Sequence, residues 1–434
     1  MTPPGMAQPN APRKYKWGGR PFGVDQETAD GAYGVLESSF TKAWLEGRQE
    51  HRLQKVWGRD DFLAGYELFL FGRALQRVKD LDAKKAQELV RAIRKGGTTA
   101  HGLLYEVQAL AMLAEGGHHV AGTPKNEPGY DALVRFDNGM TMRWSFKNHD
   151  QSDRERVFRE RCQKLYEHLH AYAGVGALER LLVLADRHLG PEDFGAITLA
   201  LKALPVGRIM NVLPQVDVLL SKVVAPEGEQ PFALDARSTQ LTIVATHHAI
   251  EQSNFTSKLA KAAANMQKHC PRKEKFSNVV LMRVHPTADV AQLQAVATEM
   301  LNRDGCVVDA VVLHQPSVTR ENSNWSLVSH VQMALGPHYP LNCPLKMVLP
   351  AGMVSTSPSP TILRSDDQHI GLTGKYLFQR GLHVREAQRR EDGSLWGELT
   401  APADGIQEQS IFSMGGRRLR FGGRHPVSDE LFLI

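Results

Sequence analysis

The chain has 434 residues, of which 42% are hydrophobic and 23% are charged. This composition is typical of globular proteins and argues against a mostly disordered chain. The formal net charge of +5 permits a nucleic-acid partner without requiring one. No apolar run approaches the roughly 20 residues of a membrane-spanning helix, and residues 1–20 lack the hydrophobic segment of a signal peptide. The four cysteines lie far apart and lack the spacing of a zinc site. Together these features lead us to expect a reduced, cytoplasmic protein without membrane association.

Composition and hydrophobic periodicity divide the chain into five predicted segments. In chain order these are a flexible tail (1–22), a helical N-terminal region (23–97), a compact α/β domain (98–190), a connection (191–209) and a C-terminal domain that is α/β and then β-rich (210–434). Gly96-Gly97 ends the helical pattern of the second segment. The fold class is therefore predicted to be α/β.

The α/β domain opens with a predicted helix whose apolar stripe contains Leu103, Leu110 and Leu113. Glu106 lies on the same stripe. A carboxylate in that position is costly unless it is paired, bound to a metal or at the edge of a cleft. The stripe leaves two interpretations open, namely a functional carboxylate and an ordinary glutamate at the margin of the buried face.

After a predicted strand at His118–Thr123, two further strands flank the turn sequence Asp137-Asn138-Gly139. The returning strand, Thr141–Lys147, alternates an apolar face with a polar face that includes Ser145 and Lys147. A two-residue loop would place Asp131 on the apolar face, whereas a three-residue loop with Gly139 in a left-handed conformation would place it opposite Ser145. Since a buried Asp would lack partners on the apolar face, the second register is favoured.

The domain is completed by a helix and a strand. Ser152-Asp153-Arg154-Glu155 has the form of a capping box, and the helix that it begins carries an apolar stripe. Residues Arg180–Asp186 then read as a buried strand. The predicted order is helix, three strands, helix, strand.

This order, together with Asp131, Lys147 and Glu106, resembles the core of the PD-(D/E)xK nuclease superfamily over roughly 90 residues. The resemblance implies a restriction-endonuclease-like αβββαβ core and a nuclease that hydrolyses phosphodiester bonds of DNA or RNA with Mg²⁺ or Mn²⁺. It implies a catalytic set of Asp131, Lys147, Glu106 and Ser145, with Asp131 and Glu106 as metal ligands. Ser145 departs from the family pattern because a carboxylate is expected there, and a hydroxyl is a weaker ligand for a hard cation. The alternative is a catalytically inactive nuclease fold that binds nucleic acid or acts as a scaffold.

Basic residues in the C-terminal domain are weaker candidates for contact with nucleic acid or with a protein partner. Two lie on a predicted amphipathic helix, Phe255–His269, and three lie in a basic stretch near the C-terminus: Lys258, Lys261, Arg417, Arg418 and Arg420.

A nuclease-like domain followed by mixed and then β-rich structure also resembles the effector subunits that accompany short prokaryotic Argonautes, in which the effector precedes an APAZ region. The segments that carry this weaker resemblance are Phe255–His269, Asn278–Thr287, Gly374–Ala387 and Asp429–Ile434. The resemblance implies a nuclease that is activated through a partner such as a short Argonaute with its guide, and a role in antiviral or anti-plasmid defence. Oligomerisation on activation stays open.

Overall fold

The computed structural model describes residues 26–47, 51–58, 62–97, 100–123, 128–150, 152–173, 179–222, 239–246, 248–285, 288, 290–321, 324–341, 345–350, 354–356, 361–364, 375–380, 383–389, 395–398 and 417–421. The chain divides into two compact units. The N-terminal unit contains the described residues up to Ala111, and the C-terminal unit begins at Met112. Residues 1–22, the predicted flexible tail, lie outside the described residues.

The N-terminal unit is helical where it is described, which confirms the prediction for this part of the chain. Its helices are α1 (Gln26–Phe40), α2 (Lys42–Leu45), α3 (Arg52–Trp57), α4 (Phe62–Leu81), α5 (Ala83–Lys95) and the larger part of α6 (Ala100–Glu115). Helix α5 begins because the Asp82 side chain accepts a hydrogen bond from the backbone N–H of Lys85. It ends because Gly96 adopts a positive φ of 73°.

A mixed seven-stranded sheet forms the centre of the C-terminal unit, within the described residues. Its order is β1-β2-β3-β8-β9-β10-β13. Strands β1, β2 and β3 are antiparallel, β3, β8 and β9 are parallel, and β10 and β13 are again antiparallel. The strands span His119–Gly122 (β1), Ala132–Arg135 (β2), Thr141–His149 (β3), Phe276–Val284 (β8), Ala310–Glu321 (β9), Asn324–Leu335 (β10) and Thr361–Arg364 (β13).

Two helices pack on one face of this central sheet. Helix α9 spans Ala249–His269 and α10 spans Val290–Leu301. Leu259 and Met266 of α9 belong to the same buried cluster as Val280 and Met282 of β8. The predicted amphipathic helix, Phe255–His269, is thereby confirmed within α9, and α9 is the connection that precedes parallel strand β8.

A second sheet, with order β17-β7-β4-β6-β5, lies in the same unit. Its strands are β4 (Glu179–Ala185), β5 (Ile209–Leu213), β6 (Val216–Lys222), β7 (Gln240–Ala245) and β17 (Arg417–Phe421), and its helices are α7 (Asp153–Ala173) and α8 (Pro191–Ala200). One buried cluster joins α7, α8, β4, β6 and β7, and residues of β5 pack against it. One of the two hydrogen bonds of the predicted capping box is present, since the Ser152 hydroxyl accepts the backbone N–H of Glu155.

One part of the predicted αβββαβ core requires correction. The helix, three strands, helix and strand occur in the predicted order along the chain, but β4 does not lie beside β3. Strand β4 pairs with β6 and β7 in the second sheet, and β8 pairs in parallel with β3. The reason is that Leu181 and Val183 of β4 are buried in the core of the second sheet.

Each sheet contains strands that precede residues 191–209 in the chain and strands that follow them. The sequence predicts residues 191–209 as a connection between domains. Strand β3 pairs with β8, and β4 pairs with β7.

Beyond residue 345 the described residues form short strands, as predicted. These are β11 (Lys346–Val348), β12 (Val354–Thr356), β14 (Lys375–Arg380), β15 (His383–Arg389) and β16 (Leu395–Glu398). None of the helices in the described ranges combines the length and apolar character needed to cross a bilayer.

Gly129 lies where the segment before β2 approaches the end of α9, and we predict that it tolerates no side chain. Its φ is 112°, and a Cβ there would lie 2.6 Å from His269 Cβ and 2.9 Å from Cys270 Sγ. Gly139 is a matched control because it also has a positive φ but has open space around it. Gly139→Ala should lower the free energy of unfolding by about 1–2 kcal/mol through backbone strain alone. Gly129→Ala should cost about 1–3 kcal/mol more through steric overlap, measured by chemical denaturation. Equal losses would contradict this packing.

Candidate functional site

The β2–β3 hairpin adopts the three-residue register that the sequence favours. Arg135 pairs with Thr141 and Ala132 with Trp144, and Gly139 has a φ of 81°. Beyond this ladder the backbone N–H of Asp131 donates to the Trp144 carbonyl at 2.6 Å. The Asp131 side chain is thereby brought to the polar face of β3.

Asp131 is held by contacts that all reach one carboxylate oxygen. Its Oδ2 accepts the backbone N–H of Phe146 at 2.7 Å and the Ser145 hydroxyl at 3.3 Å, and it lies 3.7 Å from Lys147 Nζ. Among the described residues, no group donates to Oδ1. With 31% of its side chain exposed, Asp131 can present this second oxygen to a ligand.

Lys147 is oriented toward the same carboxylate. Its Nζ donates to the Phe146 carbonyl at 3.0 Å, so the ammonium group lies across the end of the hairpin and keeps contact with solvent. Ser145, in contrast, is buried, and its hydroxyl donates a hydrogen bond to Asp131. The predicted juxtaposition of Asp131, Ser145 and Lys147 is therefore confirmed as geometry, and the chemical roles assigned to them stay predictions.

Glu106 has a different setting. It is buried on α6, as its place on the apolar stripe predicts. Its Oε1 lies 2.8 Å from Lys85 Nζ on α5, and both residues belong to the N-terminal unit. The sequence pattern missed Lys85 because the two residues come from different helices. The structure thus supplies an ion-pair partner for Glu106, and its role as a metal ligand stays a prediction of the resemblance.

The carboxyl end of β3 carries further polar groups that the sequence left unassigned. His149 is buried with its ring edge-on to Phe255, although a histidine at a strand exit more often faces solvent. Burial, and secondarily the charge of Lys258, lower the pKa of His149 to about 4. It is therefore neutral near pH 7.

Lys258, a weak candidate for nucleic-acid contact, is engaged within the fold. Its Nζ donates to the Asn148 carbonyl at 2.9 Å, while Lys261 on the same helix is exposed. Arg417, Arg418 and Arg420 lie on β17, whose backbone pairs with β7. Their side chains lie outside the described residues.

The oxygen donors at the end of the hairpin fit Mg²⁺ or Mn²⁺ in kind. They are the Asp131 carboxylate, the Ser145 hydroxyl and the Phe146 carbonyl, all of them hard ligands. In the described part of the chain, no group of three or more His, Cys, Asp or Glu side chains is arranged to hold a metal ion. Because Mg²⁺ is often bound by one or two carboxylates together with water and substrate phosphate, these residues fit a weak site that substrate completes.

Comparison with protein-family models, with curated proteins and with solved structures found no match to this chain.

The Glu106–Lys85 contact generates a prediction that separates its two possible roles. Glu106→Gln and Lys85→Met each break the ion pair, but only the first removes the carboxylate. Because Glu106 is buried and Lys85 is partly exposed, a structural role predicts that each substitution lowers the free energy of unfolding by about 1–3 kcal/mol. It also predicts that any shift in melting temperature caused by Mg²⁺ is equal in the two folded variants. A Mg²⁺-dependent shift lost only in Glu106→Gln would contradict this expectation and support the metal-ligand role that the resemblance implies.

Proposed function

We propose that this protein is a metal-dependent nuclease that hydrolyses phosphodiester bonds of DNA or RNA at the β2–β3 hairpin. The observation that carries the proposal is the convergence of a solvent-accessible carboxylate, Asp131, and an ammonium group, Lys147, on adjacent strands. Anionic and cationic groups in contact are the elements that bind a divalent ion and stabilise negative charge on a phosphoryl group.

The topology around the hairpin supports the finer part of this proposal, a restriction-endonuclease-like core. Helix α6 precedes three antiparallel strands, β1 to β3, and helix α9 then leads to the parallel strand β8. In this interpretation, residues 151–247, which carry most of the second sheet, are an insertion between β3 and α9. The order helix, three strands, helix, strand is then retained with β8 in place of β4.

The residues at the hairpin have distinct roles in the proposed reaction. Asp131 would hold the metal with its carboxylate, whose Oδ2 is bonded to the Phe146 amide. A bound Mg²⁺ or Mn²⁺ supplies Lewis-acid polarisation of the phosphoryl group and lowers the pKa of a coordinated water. The Phe146 carbonyl orients the Lys147 ammonium, which donates to a phosphate oxygen as negative charge develops. Ser145 keeps the carboxylate in place through its hydroxyl.

One observation favours a second candidate, a nuclease fold that binds nucleic acid without cleaving it. Ser145 is buried and stands where the family pattern has a carboxylate. The site then has fewer negative charges to hold a divalent ion.

Association with a short Argonaute, and hence a role in defence, is a further part of the proposal. Of the segments that carry this resemblance, Phe255–His269 lies in α9 and Asn278–Thr287 begins in β8. Their apolar residues pack in the core around the central sheet. Asp429–Ile434 lies outside the described residues. The remaining segment, Gly374–Ala387, includes β14 and part of β15. It is the segment on which we base the proposed contact with a partner.

Cleavage by the full chain should require both the metal and Lys147. We expect labelled DNA or RNA oligonucleotides to be cut with Mg²⁺ or Mn²⁺ and to stay intact with excess EDTA. Lys147→Ala should lower the rate by about tenfold or more, which is at least roughly 1.4 kcal/mol of barrier. Lys164→Ala is the control because Lys164 is an exposed lysine on α7, and its rate should match the wild type. Cleavage that persists in EDTA would contradict the proposal. So would a wild-type chain that binds all substrates and cuts none, which would favour the second candidate.

A further inference from the structure

An open cleft of about 460 Å³ lies between the amino ends of β3 and β8 and the carboxyl end of α9. Arg135, Arg143, Lys273 and His269 contribute basic groups to its lining, and Phe276 adds an aromatic ring. Among the described residues that line it there is no Asp or Glu. We call this feature the basic cleft.

Arg143 is the buried base of this cleft. Its exposed fraction is 8%, and its guanidinium lies 4.1 Å from the centroid of the Phe276 ring. Nη1 donates to the Pro271 carbonyl at 3.3 Å, which uses one of the five N–H donors of a guanidinium. Within the described residues no carboxylate forms an ion pair with Arg143. Since a buried arginine is normally paired, the cleft presents its remaining donors to an external anion.

The basic cleft and the candidate site lie on the same face of the β2–β3 hairpin. On β3 this face carries Arg143 and Ser145, both buried. On the β2 side it carries Arg135, Leu133 and Asp131, each at least partly exposed. Side chains on one face of a strand recur at about 6.6 Å, so Arg135 lies roughly 13 Å from Asp131 along the chain. A single extended ligand can therefore contact both.

We propose that the basic cleft binds the phosphate groups of a single-stranded nucleic acid and places the strand along β2–β3 toward Asp131 and Lys147. This inference rests on the proposed function for the course of the strand. The cationic groups are spread over β2, β3 and the segment after α9, which suits a polyanion better than one small anion. Phe276 is 36% exposed and offers an aromatic surface to an unpaired base, as is common in proteins that bind single strands.

The test measures binding without cleavage. The full chain is titrated in EDTA against a labelled oligothymidylate of about 12 nucleotides, by fluorescence anisotropy at several salt concentrations. The Arg135→Ala/Lys273→Ala double variant removes two exposed cations of the cleft. The Lys202→Ala/Arg208→Ala double variant is the control, since both residues are exposed in the second-sheet region and the change in charge is the same.

We expect Arg135→Ala/Lys273→Ala to weaken binding about tenfold and to reduce the slope of log K against log salt by about 1.4, which corresponds to two phosphate contacts on a single strand. The control should bind as the wild type does. Equal affinities and slopes for both double variants would overturn the inference. Displacement of the oligonucleotide by inorganic phosphate at an equal concentration of phosphate groups would also overturn it, because it would indicate a small-anion site.

The binding result and the cleavage result separate the two proposals. If Arg135→Ala/Lys273→Ala loses binding while the wild-type chain cuts no substrate, the proposed function fails and the basic cleft stands. If Lys147→Ala abolishes cleavage while both double variants bind equally, the basic cleft fails alone. Arg143→Lys adds a further readout, since it keeps the charge and loses the planar fork over Phe276. It should weaken binding as well, and wild-type affinity would count against the inference.

Discussion

The hydrogen bond from the Phe146 amide to Asp131 Oδ2, 2.7 Å long, is the interaction on which the candidate site depends. This hydrogen bond lies just beyond the last paired residues of β2 and β3, Ala132 and Trp144. The Asp131 side chain therefore accepts the Phe146 N–H, which a backbone carbonyl of the neighbouring strand would accept if the pairing continued. The carboxylate is thereby fixed beside Lys147 and Ser145, and its other oxygen is left for a ligand. A hydrogen bond to a charged group of this kind contributes roughly 1.5–3 kcal/mol. The geometry of the site is therefore part of the stability of the hairpin.

The local part of this arrangement could be predicted from the sequence. Alternation in Thr141–Lys147, a turn with Gly139 and the cost of burying Asp131 against apolar side chains together select one register. These are short-range constraints, because a hairpin brings together residues that are close in the chain. Glu106 illustrates the limit, since its burial follows from helical periodicity but its partner, Lys85, lies on another helix.

The partner of β3 could not be predicted because it depends on long-range pairing. Both β4 and β8 are apolar strands that follow a helix, and the sequence pattern does not distinguish them. In the structure β4 pairs with β6 and β7 in the second sheet. Strand β8 pairs with β3 in the central sheet. For the same reason, alternation along the strand places Arg143 on the polar face of β3 and does not indicate a cleft. Its cleft appears once β8 brings Phe276 beneath the guanidinium.

The central claim is that Asp131 and Lys147 act together on one phosphodiester bond. A double-mutant cycle on the single-turnover cleavage rate, with Asp131→Asn, Lys147→Met and the double variant at saturating substrate and metal, tests it most directly. Groups that act as a unit give strongly non-additive losses. The account predicts that the double variant is no slower than the slower single variant. Losses that multiply, or a single variant with the wild-type rate, would contradict it.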